Sequence, residues 1–526
     1  MVPVENTTTG AHALIRTLVD AGVDTCFTNP GTSEIHFVAA LDSIPELRAI
    51  LTLFEGVATG AADGYARMSG RPAATLLHLG PGLANGVANL HNARRGRTPV
   101  VNIVGDHATH HVAYDSPLQS DIETVARNVS SWVRTTARPA DLAADAAEAI
   151  AAANGPPGQV ATLIVPADIS WSAVPDAAAP EPVAVTPPGV DHEAIERAAQ
   201  VLRTRTGTGI LLGGRTLREP GIVAAARIAQ ATGARLLAER GAARIERGAG
   251  LPAVERLAYW PKLAAKQLEG LDDLILVDAQ PPVAWFAYPG QPSSLVPEDC
   301  QVQELAPPTS DVVAALEALT DAVGAAEIAP ALQSRVQIPL PDGPLTAAAV
   351  CQTIGALLPE GAILCDEAIT SAAALPASTA GGPRHDWLTL TGGAIGQGLP
   401  VAMGAATACP DRPVIALQAD GSALYTIQSL WTMARERLDV TVVIFNNRGY
   451  AILDAELTGL GNDAVGPRAG ALVDLARPDL DFVSLGAGLG VESERVDTAG
   501  QLASALDRGL AEAGPHLIEA VLPAVR

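Results

Sequence analysis

QADGSALYTIQSLWTMARERLDVTVVIFNNRGY, residues 418–450, opens with an acid among small residues and closes on two asparagines. PVIALQAD (413–420) has the apolar run of a strand covered on both faces. SALYTIQSLWTMARER reads as a helix, and VTVVIFNN (440–447) as a second buried strand. A strand, a helix and a strand returning to the same sheet form a right-handed parallel unit. Asp420-Gly421-Ser422 and Asn446-Asn447 then sit at the carboxyl ends of neighbouring strands, where open α/β sheets bind ligands. Asp420 and Asn447 are therefore expected side by side. Alone, DGS is a turn and NN a loop; together at paired strand ends they are far more specific.

The chemistry of this pair follows from its atoms. Helix-start amides favour a phosphate, and Gly421 permits close backbone approach. A carboxylate, an amide oxygen and a nearby backbone carbonyl are hard ligands suited to Mg²⁺, which shares phosphate oxygens. The two loops are read as a clamp for a metal bound to a diphosphate.

The same alternation extends along all 526 residues, enough chain for about three domains. Two proline-rich stretches, 174–189 and 329–344, read as linkers. They bound blocks 1–175, 190–328 and 343–526. Strands are expected at 73–79, 99–105 and 161–167, at 209–214, 234–239 and 273–279, and at 362–367, 413–420 and 440–447. Apolar strands between helices imply an α/β chain with three doubly wound parallel-sheet domains. The similar size of the outer blocks hints at duplication, without a residue-level repeat.

Bulk composition bounds the partners. Fifty-seven acidic residues against 34 Lys and Arg give a net charge of −23, which disfavours nucleic acid and anionic membranes. Hydrophobic residues make up 48%, yet no apolar run reaches the ~18 residues that suggest a span. The N-terminal MVPVENTTTGAHALIRTLVDAGV has no basic start before an apolar core, so no signal peptide is expected and the chain is placed in the cytoplasm. Five scattered cysteines without CxxC spacing speak against a disulfide framework or structural zinc.

A second carboxylate stands in ILTLFEGVATGAADGYARMSGR (50–71). ILTLF is a strand candidate, Glu55 ends it, and a helix of small residues follows. By itself Glu55 reads equally well as a helix-start acid. Asp-Gly followed after this interval by Asn-Asn, with a glutamate before GYAR-x-x-GR, resembles the thiamine-diphosphate (ThDP) enzymes. Ala419 stands where the family's first glycine is usual.

The resemblance covers nearly the whole chain. It implies pyrimidine-binding, central and diphosphate-binding domains, in that order. Asp420, Asn447 and the carbonyl of Gly449 would hold Mg²⁺, with Gly421, Ser422 and Thr370 also at the cofactor. Glu55 would bond the ring nitrogen N1′ and promote the imino tautomer that deprotonates thiazolium C2. LTGGAIGQGLPVAMGAA (390–406) is similar to the element that bends the cofactor, with Ile395 at the wedge position. The family builds its site between subunits, so a homodimer is the minimum and a homotetramer is expected.

FTNPGTSEIHF (27–37), TLLHLGPGLANG (75–86), GDHATHH (105–111) and DGSALYTIQSLW (420–431) look closest to benzoylformate decarboxylase and to acetolactate-synthase-like chains. Thr32 keeps a hydroxyl where the decarboxylase holds the substrate carboxylate, and His78 matches its proton-relaying histidine. A second histidine has no match; Trp285 stands near its place. His107, His110 and His111 read as a solvated loop, a pocket contribution or, least favoured, a zinc site. The pyruvate decarboxylases' paired histidines fall where this chain has Tyr114-Asp115. True acetolactate synthases bind FAD in the central domain; GILLGGRTL (209–217) is a weak glycine signal, and FAD is not expected. The implied activity is decarboxylation or carboligation of a small 2-keto acid through a thiazolium ylid and an enamine. The rivals are a non-catalytic homologue serving as an assembly partner and a flavin-dependent ThDP oxidase.

Overall fold

The computed structural model describes residues 8–175, 183, 185–459 and 466–524. Much of the first proline-rich linker (176–182 and 184), the first seven residues of the N-terminal stretch and the last two of the chain lie outside the described residues.

The first block forms β1 (Thr25–Asn29), β2 (Arg48–Leu51), β3 (Ala73–Leu77), β4 (Val100–Asp106), β5 (Trp132–Thr135) and β6 (Val160–Pro166). They pair in parallel in the order β2-β1-β3-β4-β6-β5. β3, β4 and β6 are buried along their whole length or nearly so, as their unbroken apolar runs require. The chain reverses direction across the sheet between β1 and β3, so the loops after these two strands face one crevice.

The middle block supplies β7 (Thr208–Leu212), β8 (Arg235–Ala238), β9 (Arg244–Arg247), β10 (Glu255–Arg256), β11 (Asp273–Val277) and β12 (Gln301–Ala306). Five of them form the sheet β10-β8-β7-β11-β12, with its reversal between β7 and β11. The last block supplies β13 (Ala362–Glu367), β14 (His385–Thr389), β15 (Val414–Ala419), β16 (Val440–Asn446), β17 (Glu492–Val496) and β18 (His516–Val521). They run β17-β18-β16-β15-β13-β14. Counted within each block, both outer sheets have the order 2-1-3-4-6-5. All nine strands expected from the apolar runs are present.

Two compact units emerge: Met1–Val185 with Ile338–Ser378 and Leu388–Arg526, and Thr186–Gln337 with Thr379–Trp387. Within the first unit, helix Glu55–Ser69 packs on helix Gly398–Ala408. The contact is close because both helices present glycine. A Cβ at Gly64 would stand 2.1 Å from the Val401 carbonyl oxygen, and one at Gly404 would stand 1.9 Å from that of Ala61.

Two local expectations need correction. The strand read in ILTLF ends at Leu51, and Glu55 is the first helical residue after a turn. The helix read through 422–437 is broken into Asp420–Ala423 and Ser429–Glu436. Thr426 lies in the break and donates its hydroxyl to the Gly396 carbonyl, 3.0 Å away, while its N–H bonds the Ala423 carbonyl three residues back in a tighter turn. No helix among the described residues is long and apolar enough to cross a membrane.

Candidate active site

Parallel pairing of β15 with β16 sets Ala419 opposite Phe445, so both following loops emerge at one edge. Asp420 is 2% exposed. Its carboxylate accepts the N–H of Gly421 at 2.7 Å and the N–H of Arg448 at 2.7 Å. Burial nevertheless pushes its pKa above the ordinary aspartate value, against the pull of the surrounding backbone N–H groups. Asn447 is buried beside it, with Oδ1 accepting the Gly449 N–H at 3.1 Å. Arg448 takes φ +57° to turn the chain between them. The two asparagines have different tasks: Asn446 donates to Glu519 on β18 at 2.7 Å and so belongs to the sheet. Ser422 is buried at the same loop, and the Tyr450 ring packs over Gly421, where a Cβ would lie 2.4 Å from it. Thr370 is half-buried in the turn after β13, next to Ile369 at φ +52°.

In the first block, Glu55 is 7% exposed and takes amide donors from Asn85 (2.9 Å) and Asn29 (3.5 Å). Asn29 ends β1 and Asn85 lies on helix Leu79–Arg95, so the sheet and its following helix aim both at one carboxylate. Glu55 and Asp420 share no hydrogen-bond partner among the described residues.

His78 follows β3, at the sheet reversal. Its Nδ1 lies 2.7 Å from Oε2 of Glu34, a residue 2% exposed. The same Oε2 accepts the Gly31 N–H at 2.8 Å. Glycine at 31 is needed because a Cβ there would fall 2.3 Å from the imidazole. Burial raises the Glu34 pKa, and the histidine opposes the rise. Thr32, exposed, stands one residue past Gly31. Sequence reasoning missed Glu34; the signal was present in NPGTSE, an acid within the loop after β1.

Ile395 is half-buried in a loop crossed by Gly393 (φ +80°) and Gly396 (φ +90°). The loop is tied to the first block. Gln397 donates to Asp63 at 2.9 Å, and Asp63 forms a buried bidentate pair with Arg67 at 2.8 and 2.6 Å.

Over residues 8–127 the chain matches the family described as thiamine pyrophosphate enzyme, N-terminal TPP binding domain, and over 371–520 its C-terminal TPP binding domain. The chain belongs to the thiamine pyrophosphate enzyme family. It is 57% identical, over 98% of its length and 99% of the relative's, to a Mycobacterium tuberculosis protein provisionally named acetolactate synthase large subunit IlvX. Identity to the benzoylformate decarboxylase of Pseudomonas aeruginosa is 31%, over 95% of this chain and 96% of that one. The solved Rhodococcus jostii RHA1 thiamine diphosphate-dependent 4-hydroxybenzoylformate decarboxylase shares the fold, with a TM-score of 0.84 at 24% identity, covering 98% of this chain and 100% of that one. This chain is therefore a thiamine-diphosphate-dependent enzyme.

The residues of this ThDP enzyme fit the metal that a diphosphate brings. Asp420 and Asn447 bring a buried carboxylate and a buried amide oxygen to neighbouring strand ends, a donor chemistry suited to a hard cation. At the reversal between β7 and β11, the Gly214 N–H donates to Glu239 Oε1 (2.9 Å) and the Arg215 N–H to Asp278 Oδ2 (2.7 Å). Two carboxylates thus hold the backbone amides at the reversal of the middle sheet.

The loop histidines do not converge on a metal among the described residues, where Glu492, Glu512 and His516 make the sole such grouping. His107 Nε2 lies 3.0 Å from Ser116 Oγ, and His110 faces Trp171. Trp285 tilts against Tyr259 within the middle unit.

Proposed function

We propose that this ThDP enzyme decarboxylates a small 2-keto acid, with the remainder protonated to an aldehyde or joined to a second carbonyl compound. Bound ThDP supplies the carbanion equivalent that adds to the keto carbon and holds the electron pair after CO₂ departs. Asp420, Asn447 and the Gly449 carbonyl are the proposed Mg²⁺ ligands, with Gly421, Ser422 and Thr370 at the diphosphate. Glu55, oriented by Asn29 and Asn85, is the proposed partner of N1′ and holds the proton there. Ile395 supports the bend. Residues 1–175, 190–328 and 343–526 are assigned as pyrimidine, central and diphosphate domains. A homodimer at least is proposed, Glu55 of one copy serving Asp420 of the other. Five free cysteines fit a reducing, cytoplasmic setting.

The observation that carries decarboxylation with proton capture is the Glu34–His78 pair beside Thr32. A carboxylate on Nδ1 settles the tautomer and leaves Nε2 to move a proton. The Thr32 hydroxyl is the proposed partner of the substrate carboxylate. Carboligation is the second reading, favoured by the 57% identity to the acetolactate synthase-named chain. A flavin oxidase is disfavoured by Glu239 and Asp278 at the amides of the middle sheet.

Product analysis with pyruvate and with phenylglyoxylate separates the two outcomes. Aldehyde as the main product is expected; acetolactate as sole product from pyruvate refutes simple decarboxylation. Glu55→Gln is expected to lower turnover by about 10²-fold or more while ThDP still binds. Unchanged turnover removes Glu55 from the mechanism and favours a chain kept for assembly.

A further inference from the structure

The residues on both sides of Ile395, Ala394 and Gly396, are each held by buried side chains at N–H and C=O alike. The Ala394 N–H donates to Asn92 Oδ1 at 3.2 Å, and its carbonyl accepts from Asn92 Nδ2 at 2.8 Å. The Gly396 N–H donates to Glu367 Oε1 at 2.7 Å. The Gly396 carbonyl accepts from Thr426 Oγ1 at 3.0 Å and Asn89 Nδ2 at 3.2 Å. The other oxygen of Glu367 accepts the Gly398 N–H at 2.6 Å and Gln418 Nε2 at 2.8 Å.

Glu367 is 1% exposed and Asn92 is fully buried. The carboxylate stands at the end of β13, opposite Gln418 in the register, at the reversal of the last sheet. Gln418 lies two residues before Asp420. One buried carboxyl group thus ties the loop of Ile395 to the strand that delivers the candidate metal ligand. Both glycines are required: a Cβ at 396 would meet the Tyr425 Cβ at 2.6 Å, and one at 398 the Glu367 Cβ at 2.8 Å.

We propose that Glu367 is a positioning residue: its carboxylate sets the backbone of residues 396–398 and so fixes how far Ile395 stands toward the cofactor, with Asn92 closing the frame from the first block. This rests on the reading of Ile395 as the support beneath the cofactor's bend. A buried carboxylate offers two acceptor oxygens for three N–H donors. An amide of the same shape offers one oxygen and turns an NH₂ toward an N–H. The loop must then move, and a displacement of about 1 Å at a reacting geometry costs on the order of 10²-fold in rate.

The test is Glu367→Gln, read in three ways. In the apoprotein, amide hydrogen exchange at Gly396 and Gly398 is expected to rise at least about tenfold. ThDP titrated with Mg²⁺ is expected to bind more weakly, and kcat to fall by about 10²-fold while KM for the keto acid stays within about twofold. Ile363→Val, on the same strand, is the control for general loosening and is expected to leave kcat and ThDP affinity unchanged. Wild-type exchange, affinity and kcat in Glu367→Gln overturn the proposal. Ile395→Ala with unchanged kcat overturns the wedge reading beneath it, and is told apart by whether the exchange rates still rise in Glu367→Gln. Should Glu367→Gln not fold, Asn92→Ala reads the same frame, and wild-type affinity and kcat there also overturn it.

Discussion

A single buried carboxylate carries the metal proposal at the residue scale. Asp420 sits among backbone N–H groups, yet desolvation outweighs them and raises its pKa. Burial therefore makes the carboxyl harder to ionise in the fold than in the unfolded chain, so its protonated form contributes to stability. That contribution is full below the unfolded aspartate range and is lost as pH rises through the raised folded value. A bound cation favours the anion and offsets the loss. The rise in melting temperature produced by ThDP with Mg²⁺ is thus expected to grow as pH rises above the unfolded aspartate value of about 4 and to vanish in Asp420→Ala. A thermal-shift series over pH checks this, and an undiminished shift in the variant removes Asp420 from the metal site. Other residues at these strand ends also carry strain. Leu79, Ile369 and Arg448, each next to a proposed site residue, all take positive φ without being glycine. Glu34 belongs to the same scale. Its place in NPGTSE was visible, but its use was not, because its partner His78 lies across the β1–β3 reversal.

Helices decide how these residues are held. Asn85, Asn89 and Asn92 fall at i, i+4 and i+7 on helix Leu79–Arg95, one face of the helix. That stripe reaches Glu55 at one end and Ala394 at the other. Such a polar stripe on a half-buried helix is legible as a pattern; its targets depend on packing. The same holds for glycine. Gly404→Ala places a methyl against the backbone of Ala61, which cannot yield as a flexible side chain does. A loss of roughly 1–3 kcal/mol is expected from such overpacking, read as a lower urea midpoint with weaker ThDP binding. Gly500→Ala, in helix Ala499–Ala511 with open space around the added Cβ, is expected to be neutral or to stabilise by up to about 1 kcal/mol. Equal effects from the two substitutions would show that the helix contact is not tight. The break at 424–428 carries the same lesson: a run with helical composition tightens into three-residue turns where Thr426 bonds the Gly396 carbonyl.

At the scale of the molecule, the two outer sheets share one strand order, and each brings its reversal to a cluster of candidate residues. If the site forms between two copies, mixing inactive Glu55→Gln and Asp420→Ala proteins under subunit exchange is expected to restore about a quarter of parental activity, since half the dimers are mixed and one site in each is intact. No recovery despite demonstrated exchange places both residues of a working site in one chain.

The sequence alone determined the parallel α/β class, the alternation in three blocks, and the place of Asp420, Asn446 and Asn447 at strand ends. These are local properties: apolar runs, turn residues and helix spacing act over a few positions. Only the tertiary structure decided which of those groups face one another. Glu34 and His78 are 44 positions apart, and Asn92 and Ala394 are 302 apart. Bonds over such separations depend on strand order and helix contact, and neither is encoded in any short stretch of chain.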